Sequence, residues 1–529
     1  MSKKKENIYD RYRKNRPVDI VNNIFLIYIF SVYIIFMHNM YFDITITRAR
    51  TFMYGSLVYV LLFVVSYILE LYMMKYYKVK PPYFYKDTPV ILMPEVWMGG
   101  FLFANLMAFF VSNNKRGSWS GSTGRYFGLM MILCLTLMFV CLAREASVNK
   151  YIFGVFTFFS GASYVIACLQ HFGFDPFGLR AKIVDKQKEL FISTFGNINT
   201  YASYICVSLP VFAGLFIFSK KKIVRAVSGA LLVLGSMAII PAKSDNVYLG
   251  VGVGFIVLFY IAIIHKNFTE YIFSVLMVLC GLEIMAILNS AFEGSQKHIN
   301  GIAEIIENPM IMLFLLILVL IILILSMLFR GVKYETYKAI QGKTFLIIFT
   351  AVMIISMIVV IIVGKNSGNE LFVFNDKWGT YRGYVWTRGW YLFRDATLFN
   401  KIFGYGNETI GQLMKDWFET EMILVTNKRY DNLHNELLQY LVTTGLLGLT
   451  TYLGFLVTSF MYIGKRMKDD PILISILASC AAYAAQSLVN LNQPITTPFF
   501  FVMLATGVGY ARYKAQGYGE TNVISDDKK

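Results

Sequence analysis

Residues 309–329 read PMIMLFLLILVLIILILSMLF, an apolar run without one charged side chain. At a helical rise of about 1.5 Å per residue, roughly 20 such residues cross a hydrocarbon layer ~30 Å thick. The run reads as a membrane span, and the rest of the chain resembles it. Of 529 residues, 57% are hydrophobic and only 15% charged, and the mean hydropathy is +0.56. A soluble protein carries more charge and fewer long apolar runs. The expected fold is all-α, a polytopic transmembrane bundle of about 12–14 spans. Fourteen runs qualify: 23–42, 52–74, 91–112, 126–143, 151–171, 200–219, 223–241, 247–264, 271–291, 309–329, 344–364, 437–463, 471–490 and 495–512.

The net charge of +17 would point to nucleic acid only as a soluble basic patch. The lysines and arginines instead sit in short connections between spans, which sets orientation. With the N-terminus in the cytoplasm, cytoplasmic segments carry 29 of the 49 basic residues and short outer loops carry 11. The other nine lie in 365–436, a segment long enough to escape the positive-inside rule. Five regions follow: a basic cytoplasmic N-terminus (1–22), eleven spans (23–364), an extracytoplasmic segment (365–436), the C-terminal spans (437–512) and a cytoplasmic tail (513–529). Both termini are expected in the cytoplasm of a multi-pass cytoplasmic-membrane protein. The N-terminus lacks a signal-peptide cleavage pattern, so its first apolar run reads as a retained span. All six cysteines fall inside apolar runs without metal spacing and read as small core residues.

The segment 365–436 holds four of the six tryptophans: Trp378, Trp386, Trp390 and Trp417. Within it, YRGYVWTRGWYLFRDATLF (381–399) reads as one amphipathic helix. Trp386, Trp390 and Phe393 share a face at i, i+4 and i+7 and suit the headgroup layer. No P-loop, H-E-x-x-H or D-x-D occurs, so neither ATP nor a dedicated metal is expected. Glu70, Glu95 and Glu283 lie inside spans without a basic partner in register and read as packing or interface residues.

Four of the five histidines (His38, His171, His265, His298) lie at span ends or in a loop and read as headgroup-level residues. His434 stands at the mouth of an apolar helix between Asn432 and Asn435. Asp431 and Asn432 suit a helix cap, but a cap has no use for histidine, whose ordinary pKa of ~6.5 suits a general base. Arg382, Arg388 and Arg394 cluster nearby. They read either as snorkelling anchors or as a forked clamp for a lipid diphosphate at the same depth. Two more polar stretches open spans on the same side: STFGNINTYASY (193–204), with Asn197, and PAKSDNVYLG (241–250), with Lys243, Ser244 and Asp245. Either stretch also reads as an ordinary turn and cap, but several polar groups meeting at one membrane face are costlier to explain as accident.

These residues together resemble the O-antigen ligase and polymerase superfamily. That family runs R-x-x-x-W, then P-L-F-G-x-G, then H-N-x-x-L-Q, then G-L-L-G. Here the matching residues are Arg382 and Trp386, Phe403-Gly404-Tyr405-Gly406, His434-Asn435 with Leu438-Gln439, and Gly445-Leu446-Leu447-Gly448. FGNINTYASY is similar to the family's G-N-x-N-x-x-A. The resemblance implies an enzyme that takes a glycan from undecaprenyl diphosphate on the outer face of the cytoplasmic membrane. The acceptor is a glycan, a lipid or a protein. It implies His434 as the catalytic base and Arg382 on the diphosphate, with Asn435 and Asn197 as further substrate contacts. The family's second arginine sits in an S-R turn. Here that turn is Ser244-Asp245, which leaves Lys243 or Arg388 as substitutes. Attack by a single displacement predicts inversion at the anomeric carbon. The rival reading is a lipid-linked oligosaccharide flippase or other transporter. Among enzymes, the sequence leaves ligase, polymerase and protein glycosyltransferase open.

Overall fold

A computed structural model describes residues 16–77, 91–121, 124–292, 309–328, 362, 366 and 373–515. The N-terminal residues 1–15, His298, the tail 516–529 and the expected span 344–364 apart from Ile362 lie outside the described residues. Every other expected span coincides with helix. Along the chain these are α1 (Pro17–Ile35), α2 (Ile44–Tyr77), α3 (Met93–Val111), α4 (Leu129–Arg144), α5 (Lys150–His171), α6 (Ile198–Phe218), α7 (Lys222–Met237), α8 (Asp245–Ile264), α9 (Phe268–Ala291) and α10 (Pro309–Leu328). The segment after them folds into α11 (Trp378–Arg394), α12 (Leu398–Phe403) and α13 (Ile410–Thr426). Four helices end the chain: α14 (Glu436–Thr443), α15 (Gly445–Gly464), α16 (Pro471–Ser487) and α17 (Thr497–Ala515). Eight of these, α1, α2, α3, α5, α6, α8, α9 and α15, are long and apolar enough to cross a membrane. The chain is an all-α polytopic bundle. Its described strands are one short antiparallel pair, β1 (Phe191–Ile192) and β2 (Gly196–Asn197).

The helix α6 is the axis of the bundle. Its apolar window is 94% buried, against 28% in α2, and α16, α8 and α7 pack around it. Outer helices such as α2 and α10 leave Leu61, Ile68 and Phe314 exposed. Apolar side chains facing outward from a bundle suit a hydrocarbon solvent, and hydrogen-bonding the backbone inside each helix is what makes such a span tolerable there.

Polar contacts gather at the two ends of the bundle. At one end, Arg16 binds Glu70 and Glu145, Arg512 reaches Glu95 at 3.3 Å, and Lys514 pairs with Asp470. Glu70 and Glu95 thus have arginine partners from distant parts of the chain, invisible to any local register. At the other end, Arg48 donates to Thr194 O at 2.8 Å, Gln493 Nε2 to Thr200 Oγ1 at 2.6 Å, and Asn492 Nδ2 to Tyr440 Oη at 3.0 Å. Segment 373–436 sits at this second end, and the described chain ends sit at the first.

Three expectations change. The first span begins at Pro17, not 23, because proline is well placed in a first helical turn, where its missing N–H leaves no bond unmade. Segment 381–399 is not one helix. Gly379, Thr380 and Tyr381 are left-handed, so the regular helix starts at Arg382, and the chain breaks again at Thr397, which caps α12. Its inner face is Tyr384, Val385, Gly389 and Leu392. These pack with Ile410, Met414, Met422 and Leu433 into a small core of their own, while Trp390 stays 48% exposed. Finally, 437–463 is two helices. Gly445 has φ +68°, and a side chain there would meet the backbone carbonyl of Ile402, a conformation and a close approach that together require glycine.

Candidate active site

The sequence DNLHN (431–435) forms the turn between α13 and α14, and each residue is anchored separately. Asn432 is buried, and its Oδ1 accepts the main-chain N–H of His434 at 2.7 Å. Leu433 is fully buried against Gly389 of α11, and its N–H donates to Gln439 Oε1 at 3.1 Å. Asn435 caps α14, its Oδ1 accepting from Leu438 N at 2.9 Å. Between these fixed points His434 is held at φ +49°. A left-handed backbone on a residue with a Cβ costs about 1 kcal/mol or more and persists only where its surroundings over-determine it.

The His434 ring lies edge-on to Tyr430 at 6.1 Å. Its nitrogens make no hydrogen bond among the described residues. Burial is the main force on its protonation, and the charges of Arg382 and Arg125 add to it. Against the pull of Asp431 they push the imidazole down to about 4. The ring is therefore a neutral base with a free lone pair at physiological pH.

Arg382 is the first regular residue of α11, delivered by the left-handed turn before it. Its Nη1 donates to Gly379 O at 3.1 Å and its Nη2 reaches Asn246 Oδ1 at a long 3.5 Å. Its Nε is buried without a partner, as is Nδ2 of Asn246. Burial lowers the guanidinium's pKa while Asp245 and Tyr430 oppose. The side chain as a whole is half-buried, and a buried N–H donor left unmet is costly.

The two polar stretches expected to converge do so. Ser244 Oγ donates to Asn199 Oδ1 at 2.8 Å. The remaining residues singled out in the sequence have other partners. Asn197 caps α6, accepting from Asn199 N at 2.9 Å. Lys243 lies 3.4 Å from Glu189. Arg388 bonds Asp376 through both terminal nitrogens at 2.6 and 3.2 Å, also pairs with Glu421, and stacks on the Tyr384 ring at 4.2 Å. The Glu421 pair braces α11 to α13, and the two carboxylates raise the pKa of Arg388 against its burial. The largest charge effects on His434 come from Arg382, Arg125 and Asp431.

Two residues of the site escaped the sequence reading. Arg125 lies in the connection between α3 and α4, which also holds Lys115 and Arg116, and is 306 positions from the Asp431 it binds. Asn246 follows the turn that drew attention and looks like any first-turn residue.

The O-antigen ligase family model matches residues 307–453 of this chain. The matched stretch includes Arg382, Arg388, His434 and Asn435, and excludes Asn197, Lys243, Arg125 and Asn246. The match supports membership of the O-antigen ligase superfamily, and with the eight apolar helices it marks an integral membrane protein. No curated protein matches the chain.

Proposed function

We propose that the chain is a membrane glycosyltransferase that moves a glycan from undecaprenyl diphosphate to an acceptor hydroxyl, as an O-antigen ligase or a polysaccharide polymerase does. The observation that carries this reading is a histidine held in a left-handed turn, its ring nitrogens unbonded among the described residues, beside the half-buried Arg382, whose Nε is an unmet buried donor. A family match over that segment supports it.

The acceptor oxygen attacks the anomeric carbon while its proton passes to His434. The bond from that carbon to the diphosphate oxygen breaks, and the electron pair leaves with the diphosphate. Arg382 neutralises the charge that grows there. The donor is already activated, so no nucleotide is required, and one displacement inverts the anomeric configuration. We place the 373–436 end of the bundle on the extracytoplasmic side, from the distribution of lysine and arginine. A cysteine at the exposed Gln412 that labels only after permeabilisation would reverse that orientation.

The deciding experiment supplies the purified protein in nanodiscs with an undecaprenyl-diphosphate glycan and candidate glycan, lipid and protein acceptors. Elongated acceptor and released undecaprenyl diphosphate are expected from the wild type and not from His434→Ala. A folded His434→Ala protein transferring at the wild-type rate overturns the role of the base. Movement of the glycolipid between leaflets with no transfer would favour the flippase reading.

A further inference from the structure

We propose that Phe374, Trp378 and Trp386 form an aromatic platform that stacks a pyranose ring of the glycan substrate, with the indole N–H of Trp386 donating to a sugar oxygen. The inference rests on the donor reading above and adds to it a place for the sugar.

The platform is built by the chain folding back on itself. Residues 374–378 lie against the start of α11, where Trp378 N donates to Asn375 O at 3.0 Å and Tyr384 N to Asp376 O at 3.2 Å. Gly383 permits that approach, because a Cβ there would collide with the Asn375 carbonyl. The fold brings the Trp378 and Trp386 rings to 5.3 Å between centroids. Phe374 lies 5.6 Å from Trp378 and 6.4 Å from Trp386. All three pairs are tilted, by 57°, 52° and 32°, so the rings do not cover one another's faces. Phe374 is 58% exposed and both tryptophans are half-buried.

The polar groups beside the rings decide what the platform takes. Trp386 Nε1 is buried and has no acceptor among the described residues. A buried indole N–H ordinarily finds one, and leaving it unmet is costly. One turn earlier on the same face of α11, Arg382 Nε is a second unmet donor, and Asn246 Nδ2 beyond it is a third. Unmet donors next to open ring faces suit a ligand with apolar faces and acceptor oxygens at its edge. A pyranose has both, C–H groups on its faces and hydroxyl and ring oxygens around them. A hydrocarbon chain has no acceptor and would leave the Trp386 N–H unmet. The spacing also fits the donor. Residues 382 and 386 are about 6 Å apart along the helix axis, near the separation of a diphosphate from the first sugar it carries.

The test measures binding of three probes to the full-length protein in nanodiscs: an undecaprenyl-diphosphate glycan, undecaprenyl diphosphate without sugar, and a free acceptor glycan. Trp386→Ala is expected to weaken one of the two sugar-bearing probes at least about tenfold and leave the sugar-free lipid unchanged. A loss confined to the glycolipid assigns the platform to the donor's sugar, and a loss confined to the free glycan assigns it to the acceptor's. Trp386→Phe keeps a ring and removes the N–H, so about a threefold loss is expected, the weight of one hydrogen bond. Phe374→Ala removes an exposed ring and should weaken the same probe. These two variants carry the test if Trp386→Ala fails to fold. Equal losses for the lipid with and without sugar would make the rings a membrane anchor and overturn the proposal. Unchanged binding of both sugar-bearing probes in the aromatic variants, beside a weakened lipid in Arg382→Ala, overturns the platform and leaves the donor reading standing. A wild type that binds neither undecaprenyl-diphosphate probe removes the donor reading and this proposal together.

Discussion

The main-chain N–H of His434 donates to Oδ1 of Asn432 at 2.7 Å, and that bond closes the turn in which His434 keeps φ +49°. The placement of His434 thus depends on the residue two positions before it. Asn432 is buried, so its amide is committed to the turn and is not available to a substrate on the surface.

Asn432→Ala removes the acceptor and leaves the His434 N–H unmet. A buried unmet donor costs about 1–3 kcal/mol. The larger effect should be on turnover, since displacement of a reacting group by ~1 Å can cost about 10²-fold. Transfer assays beside thermal unfolding in detergent will show whether kcat falls well beyond any stability loss. Wild-type kcat in a folded Asn432→Ala protein would mean that the turn does not position the base.

Arg382 and Arg388 stand six residues apart on α11 and should fail in different ways. Arg382→Ala should lower transfer at least tenfold, about 1.4 kcal/mol of transition-state stabilisation. Arg388→Ala releases Asp376 and Glu421 and unstacks Tyr384. It should lower the melting temperature while the folded fraction turns over nearly as before. Reversed outcomes would move the ligand role to Arg388.

The bundle was legible because membrane spans announce themselves: each is a long apolar run, and the bilayer permits little else. Where the backbone departs from a run, the departure comes from tertiary contact. Gly445 breaks α14 from α15 because the backbone carbonyl of Ile402 abuts it, and no property of VTTGLLGL reveals that neighbour. His434 and Arg382 stood out as polar residues at a greasy boundary. Arg125 did not, since its meaning comes from Asp431, on the far side of the sequence. Arg388 stood out for its residue type, while its carboxylate partners Asp376 and Glu421 were not visible in any local pattern.

Gly406 tests how tightly the site is framed. Its φ is +101°, and a Cβ there would lie about 2.5 Å from Ser112 Oγ and 2.7 Å from Ser118 Oγ. Its N–H donates to Thr443 O at 2.8 Å, tying this turn to the end of α14. Gly406→Ala should destabilise by roughly 1–3 kcal/mol, through strain at a left-handed position and the clash. Gly99→Ala is the control, because nothing lies within 4 Å of a Cβ there and alanine favours the helix. Equal melting temperatures for the two variants would show that the 404–406 turn is loose.

The pH dependence of transfer is the sharpest test of the base. Only neutral imidazole accepts the acceptor's proton, so the rate should fall as pH drops through the pKa of His434. In the free enzyme that pKa is held at about 4, below the usual ~6.5, by burial and by Arg382 and Arg125. The acidic limb of kcat/KM, which reports the free enzyme, should therefore lie far below that of an ordinary histidine. Bound diphosphate offsets the two arginines, so the limb of kcat should lie higher than that of kcat/KM. Substitution moves the limb with a defined sign. Arg382→Ala removes a cation and shifts it up, and Asp431→Asn removes the opposing anion and shifts it down. Buffers spanning the acidic range, each with a check that the protein stays folded, give the measurement. A limb that stays in place in both variants would mean that some group other than His434 takes the proton.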